Sequence, residues 1–217
     1  MSIYGRLPDP QHLFGHDEAE QAFADILDAH ASEEEIEAFL VALSARGETM
    51  VEIAAAAEAM RERLIPIDAP AGAIDVCGTG GDGHHTLNVS TAVSIVVAAC
   101  EVPVAKHGNR AASSKAGAAD TLEALGLDMD RAGKMAEETL KDLGICFLFA
   151  ANHHPAMKRI QPIRQKIGQR TIFNLMGPLA NPARVTRQLI GIARPASVPV
   201  EAAAPPLRQD PDFKGVT

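Results

Sequence analysis

Apolar positions recur at helical spacing three times in the first third of the chain. They then give way to short apolar runs separated by glycine-rich and polar stretches. From Asp17 to Ala29, Ala19, Ala22, Phe23, Ile26 and Leu27 share one face, the pattern of an amphipathic helix. Ser32 with Glu35 three residues later reads as a capping box, followed by Ile36, Phe39, Leu40 and Leu43, with Gly47 as a stop. Met50 to Leu64 carries Val51, Ile53, Ala54, Ala57, Met60 and Leu64, and the run Ala54–Ala57 leaves a smooth face for close helix approach. The three segments predict a small helical bundle, with a helical face left for a second subunit.

Pro66 to Gly72 reads as a linker, after which strands and helices alternate. The pattern predicts strands at 73–77, 102–106, 145–150 and 188–193, and helices near 90–100, 115–125, 130–142 and 155–167. In the first of these helices Val93, Val96, Val97 and Cys100 form the apolar repeat. This is the texture of a parallel α/β sheet. The expected fold is therefore α/β: a small helical N-terminal domain over 1–66 and a larger parallel-sheet domain over 67–194, incomplete at its C-terminus and lending some helices to the small one. Pro195 to Thr217, with five prolines and no periodicity, is expected to be an irregular tail.

Composition narrows the function classes. With 217 residues there is room for one large domain or a large and a small one. With no Trp and one Tyr, a reader of single strands by base stacking is disfavoured. The net charge of −8 argues against bulk nucleic-acid binding while allowing a locally basic pocket. Cys77, Cys100 and Cys146 are widely spaced and read as reduced, buried thiols. No signal-like N-terminus and no bilayer-length apolar run are present, so the expected compartment is the cytoplasm, with no membrane partner.

Three stretches carry candidate chemistry. In DVCGTGGDGHHTLNVST, Asp75 to Thr91, an apolar strand runs into a loop with Gly78, Gly80, Gly81 and Gly83, and a helix then opens at Asn88, Ser90 and Thr91. Glycines let backbone N–H groups turn inward, and a helix start adds unpaired donors, which suits a phosphate. The spacing formally meets GxGxxG, but the next strand ends in Lys106 rather than the acid that a dinucleotide ribose requires. The second stretch, Lys106 to Asp120, begins where that strand ends and crowds Lys106, His107, Asn109, Arg110, Ser113, Ser114 and Lys115 onto one loop, a donor set for a strongly anionic small ligand. In the third, Ala151 to Pro182, the adjacent His153 and His154 point different ways and make a poor metal pair. Arg164 offers a guanidinium that can grip a planar carboxylate.

GTGGD, NVST, KHGNR, HHPAMK and RTIFNLMGPLANP occur in the order and spacing of the anthranilate phosphoribosyltransferase family, and GETMVEIAAAAEAM resembles that family's helical domain. The resemblance runs from about residue 15 to about residue 200. It implies a homodimer through the helical domain, and transfer of the 5-phosphoribosyl group from phosphoribosyl pyrophosphate to the amine of anthranilate, in tryptophan biosynthesis. By match to the family's motifs, Gly78, Gly81, Asp82, Thr86, Asn88, Val89, Ser90 and Thr91 would hold the donor, Ser90 also giving a hydroxyl to Mg²⁺. Lys106, His107, Gly108, Asn109, Arg110, Ala111, Ala112, Ser113, Ser114 and Ala118 would continue that site. Gly78, Asn109 and Arg164 would meet anthranilate, with His107 near its ring. No covalent nucleophile is implied; Lys106 and Arg164 would act by charge and positioning.

The chain departs from the family pattern in two places. Ala118 stands where members often have serine. The resemblance fades after about Val200, and the chain reaches Thr217 without the family's Asp-Glu magnesium pair, so the expectation is a fragment with donor-loop geometry and little or no catalysis. The alternatives are a pyrimidine nucleoside phosphorylase-like enzyme, a nucleic-acid-binding relative of the same fold, and a non-catalytic remnant that only dimerises.

Overall fold

The structure, a computed structural model, describes residues 2–80, 87–111 and 116–192. The first three helices, α1 (His16–Leu27), α2 (Glu33–Arg46) and α3 (Met50–Glu62), start where local chemistry sets them. Ser32 Oγ accepts from the Glu35 N–H at 3.2 Å while the Glu35 carboxylate accepts from the Ser32 N–H at 2.8 Å. Thr49 and Glu52 repeat this box at the start of α3. Glu52 is fully buried and also accepts from the Phe14 N–H and from Arg46, which fastens the N-terminal segment to the bundle. Ala55, Ala56, Ala57 and Ala59 are fully buried, so α3 and α1 approach closely over small side chains.

The sheet follows as β1 (Ile74–Gly78), α4 (Val89–Ala99), β2 (Val104–Gly108), α5 (Ala118–Ala124), α6 (Met129–Lys134), α7 (Ala136–Leu143), β3 (Ile145–Phe149), α8 (Ala150–His153), α9 (Met157–Ile167), α10 (Met176–Leu179) and β4 (Arg187–Gly191), with a 3-10 turn at Ile172–Asn174. The four strands are all parallel in the order β3-β2-β1-β4. Their C-terminal ends therefore share one edge, where Gly78, Gly108, Phe149 and Gly191 lie. The chain then returns to the bundle: Ile160 and Ile163 of α9 with Ile172, Phe173, Met176 and Leu179 complete the core around Phe23, Phe39 and Leu40. That return sets α10, which joins the helical core, against β1 and β2 of the sheet.

Several details differ from the expected pattern. β2 lies two residues later than 102–106, because Glu101 at φ 63 and the Val102 N–H bond to Val97 O belong to the turn out of α4. Lys106 and His107 are consequently strand residues, both buried, rather than the start of a loop. The helix expected over 130–142 breaks at Met135 (φ −107, ψ 16) into α6 and α7. The helix expected from 155 begins at Met157, after the Pro155 turn. The strand expected at 188–193 lies at Arg187–Gly191.

In α4 the apolar repeat does not face the core. Thr91 and Ser94 are buried whereas Ile95 and Val96 are more than half exposed, as is Val89. The buried hydroxyls are satisfied locally, Thr91 Oγ1 donating to Asn88 Oδ1 at 2.7 Å and Ser94 Oγ to Ser90 O at 2.8 Å, so the polar stripe can face the sheet. Cys100 is exposed at the end of this helix, against expectation; Cys77 and Cys146 are buried free thiols. No helix among the described residues is long and apolar enough to cross a membrane. The residues of the glycine loop from 81 to 86, of the cation loop from 112 to 115, and of the expected tail lie outside the described residues.

Candidate functional site

Parallel strands β1 and β2 are neighbours, so the glycine loop and the cation loop leave the same edge of the sheet side by side. The Thr79 N–H donates to Gly191 O at 3.0 Å, and Gly80 turns the chain at φ 65, a left-handed value that glycine reaches without strain. At the far end of the loop, the Asn88 side chain accepts from Thr91 and donates to Thr121 Oγ1 at 3.4 Å, linking the start of α4 to α5 behind the second loop. Val89 is exposed and Ser90 half-buried in the first turn of α4. Gly81, Asp82 and Thr86 of the expected donor set, and Ala112, Ser113 and Ser114, fall outside the described residues.

The second loop is closed from beneath by Asp120, whose Oδ2 accepts from the Ala111 and Gly117 N–H groups, both at 2.8 Å. Asn109 Oδ1 accepts from the Arg110 N–H at 2.8 Å, and the Asn109 carbonyl accepts from the Ala119 N–H. Arg110 is turned to Glu123 at 2.6 Å and Asp120 at 3.2 Å, with its guanidinium over the Phe149 ring. These contacts raise its pKa and leave its positive charge largely met within the chain. Ala118 opens α5 and packs beside Phe147 and Phe149.

Beneath both loops lies a buried polar layer. Lys106 Nζ donates to Val76 O at 2.8 Å and to His107 O at 3.4 Å; burial lowers its pKa, and the Asp75 charge opposes that shift. Asp75 is fully buried, which raises its carboxyl pKa against the pull of Lys106 and of the His107 N–H that its Oδ1 accepts at 3.1 Å. His107 Nδ1 lies 2.9 Å from Gly177 O, so that nitrogen carries the proton. Its Nε2 faces His154 Nε2 at 3.3 Å, so the two rings meet edge to edge in the buried layer. Burial holds both rings neutral, His107 down to about 4 and His154 down to about 3.

His153 points away, with Nδ1 bonded to Ile65 O at 3.0 Å. Arg164, in the last turn of α9, is half-buried; burial lowers its pKa, and no carboxylate is paired with it among the described residues.

Two residues take a part that the sequence reading did not give them: His154, read there only as a poor metal ligand, and Arg170, whose guanidinium donates to Gly80 O at 3.2 Å while its carbonyl accepts from Ser44 Oγ of α2 at 3.0 Å. The second helix and the glycine loop are thus tied through one arginine. Arg170 heads the motif RTIFNLMGPLANP, where its position was the signal and no role was assigned to it.

Magnesium is usually held by one or two protein groups together with substrate phosphates and water. Ser90 Oγ, half-buried in the first turn of α4 with no hydrogen bond of its own among the described residues, suits such a partial ligand set. No group of three or more His, Cys, Asp or Glu able to cage a metal occurs among the described residues.

Comparison with known proteins follows these two lobes. The helical bundle domain of a glycosyl transferase family matches residues 11–64, and the a/b domain of that family matches residues 71–206. The chain is 79% identical over 204 residues to an anthranilate phosphoribosyltransferase of Sphingopyxis alaskensis, covering 94% of this chain and 61% of that one. It is 75% identical to the enzyme of that name from Novosphingobium aromaticivorans, covering 91% and 60%. Among solved structures, that of anthranilate phosphoribosyltransferase from Thermus thermophilus superposes with a TM-score of 0.83 at 42% identity, covering 94% of this chain and 62% of that one. The Saccharomyces cerevisiae enzyme in complex with PRPP and Mg superposes with a TM-score of 0.83 at 28% identity, covering 93% and 60%. The chain thus spans about 60% of the length of the curated relatives it matches. With both lobes matched in order along the chain, the protein belongs to this glycosyl transferase family, carrying its helical bundle domain and its a/b domain.

Proposed function

We propose that the site serves transfer of the 5-phosphoribosyl group from phosphoribosyl pyrophosphate to the amine of anthranilate, releasing pyrophosphate, as the names of the relatives indicate for them. The observation that carries the reading is the emergence of the glycine loop and the cation loop from adjacent strand ends over a buried ammonium, Lys106. A glycine-rich turn leading into a helix and a nearby cation match a ligand bearing several phosphoryl oxygens. On this reading Gly78, Asn88, Ser90 and Thr91 line the donor side and Lys106 draws the departing pyrophosphate charge. Bound Mg²⁺, with Ser90 as one ligand, supplies further neutralisation of that charge.

Bond breaking at the sugar carbon leaves positive character there, and the aromatic amine attacks that carbon from the acceptor side. The unpaired Arg164 guanidinium holds the acceptor carboxylate by two parallel hydrogen bonds, and Asn109 and Gly78 complete the acceptor wall. The neutral His107–His154 pair places no extra positive charge beside the developing cation. Rate enhancement then comes from positioning and preorganised charge rather than a covalent nucleophile. A cytoplasmic homodimer associating through the helical lobe completes the proposal.

Anthranilate fluorescence titrated onto the chain preloaded with phosphoribosyl pyrophosphate and Mg²⁺ tests it. Saturable binding that requires the donor is expected. Phosphorolysis of thymidine, or a salt-sensitive shift of nucleic-acid mobility in its place, would replace this reading with one of the alternatives.

A further inference from the structure

The sheet pairs over five residues between β1 and β4 and over five between β2 and β3, yet β1 and β2 are in register only at Ile74 and Val104. The Ile74 N–H donates to Pro103 O at 2.9 Å, which fixes the side to which alternate residues point: Ile74 and Val76 of β1, and Ala105 and His107 of β2, present their backbone groups to one another. Continuing the parallel ladder would pair Val76 with Lys106 and send the His107 N–H to the Val76 carbonyl. That bond is replaced from both sides. The His107 N–H goes to Asp75 Oδ1 at 3.1 Å, and the Val76 carbonyl accepts from Lys106 Nζ at 2.8 Å. A third side chain joins them, Asn181 Nδ2 donating to Ala105 O at 2.9 Å.

From this substitution we infer that Asp75 and Lys106, aided by Asn181, form a polar wedge that holds β1 and β2 apart beneath the two loops, with Asp75 as the positioning residue for Lys106 and His107. The inference rests on the proposed donor site for its purpose. A sheet zipped to its end would draw Gly78 and Gly108 together and bury the Val76 carbonyl in the ladder, leaving Lys106 without its anchor. With the wedge in place, the spacing of the two loops is set by side chains, and the ammonium stays beneath them with a counter-charge close by. Asp75 and Lys106 lie on opposite faces of the sheet, so the charge acts through the gap rather than by direct contact; the other titratable groups around the layer are Cys77 on β1, Cys146 on β3, His107, His153 of α8 and His154 just after it.

The test is reciprocal titration in the full chain without ligand. Asp75→Asn keeps an acceptor for the His107 N–H and removes the charge; the Lys106 ammonium, followed by NMR, is expected to titrate about one unit lower than in the wild type, and the loss of phosphoribosyl pyrophosphate affinity with rising pH is expected to begin about one unit earlier. Lys106→Met provides the second arm, in which the Asp75 carboxyl titrates higher than in the wild type, and it serves equally if Asp75→Asn does not fold. A purely structural Asp75 would lower the melting temperature and leave the Lys106 titration in place, and that result overturns the inference. Unmoved titrations in a chain that binds the donor refute the wedge alone; moved titrations in a chain that ignores the donor refute only the proposed function.

Discussion

Acidification from about pH 7 to about pH 5 is expected to destabilise the fold chiefly through His107 and His154, each contributing roughly 2 kcal/mol. Both rings are buried and held neutral, with folded pKa values of about 4 and about 3 against an ordinary 6.5. As pH falls through 6.5, the unfolded chain takes up protons at these two positions and the folded chain does not, so stability declines until the folded values are reached. The two together account for roughly 4 kcal/mol over that window, an upper figure because the rings share one hydrogen bond.

The carboxylates that gain from folding, Asp28, Glu52, Asp120 and Glu123, have lowered pKa values and lose their contribution only at more acid pH. Glu48, raised by burial, works the other way at the acid end of the window. Urea unfolding followed by far-UV circular dichroism at several pH values measures the slope. In His154→Gln the slope between the two pH values should fall by about half. An identical slope in wild type and variant would refute the assignment of the proton uptake to this pair.

Arg164→Ala is expected to weaken anthranilate binding by roughly 2–4 kcal/mol, the cost of leaving a carboxylate without its charged partner, while donor affinity holds; paired titrations of the two ligands separate these effects. Glu52→Gln removes the negative charge from a fully buried carboxylate paired at 2.5 Å with the partly exposed Arg46, which should cost up to about 3–5 kcal/mol and shows directly in the urea midpoint. Gly117→Ala would place a Cβ 2.5 Å from the Ala111 nitrogen and 2.6 Å from the Asn109 carbonyl oxygen, both backbone atoms. The second loop must then open, so donor affinity should drop while far-UV circular dichroism stays near that of the wild type.

The helical lobe was legible because its information is local. Ser32 with Glu35, the apolar faces and Gly47 act within a turn or two of themselves, and α1 to α3 follow them closely. The existence and order of the strands were legible for the same reason. Burial was harder. Lys106 and His107 read as loop donors because basic residues rarely fill a central strand, and the groups that make this tolerable are distant in sequence: Val76 O, Asp75 and Gly177 O. The His107–His154 pair spans 47 residues and could not be seen from either motif alone. The apolar repeat of α4 misled for the opposite reason, since a hydroxyl bonded within its own helix can face a sheet as readily as a valine. Asp75 did leave a trace, a lone acid inside an apolar strand, whose meaning appeared only with the neighbouring strand in place.

The central claim is that two neighbouring loops over a buried ammonium grip one polyphosphorylated sugar. Calorimetric titration of the folded chain with phosphoribosyl pyrophosphate, with and without Mg²⁺, tests it most directly. The account predicts saturable heat that is stronger with the metal and reduced in Lys106→Met. No heat from the wild type, under conditions where a full-length relative binds, or equal heat from wild type and variant, would contradict it.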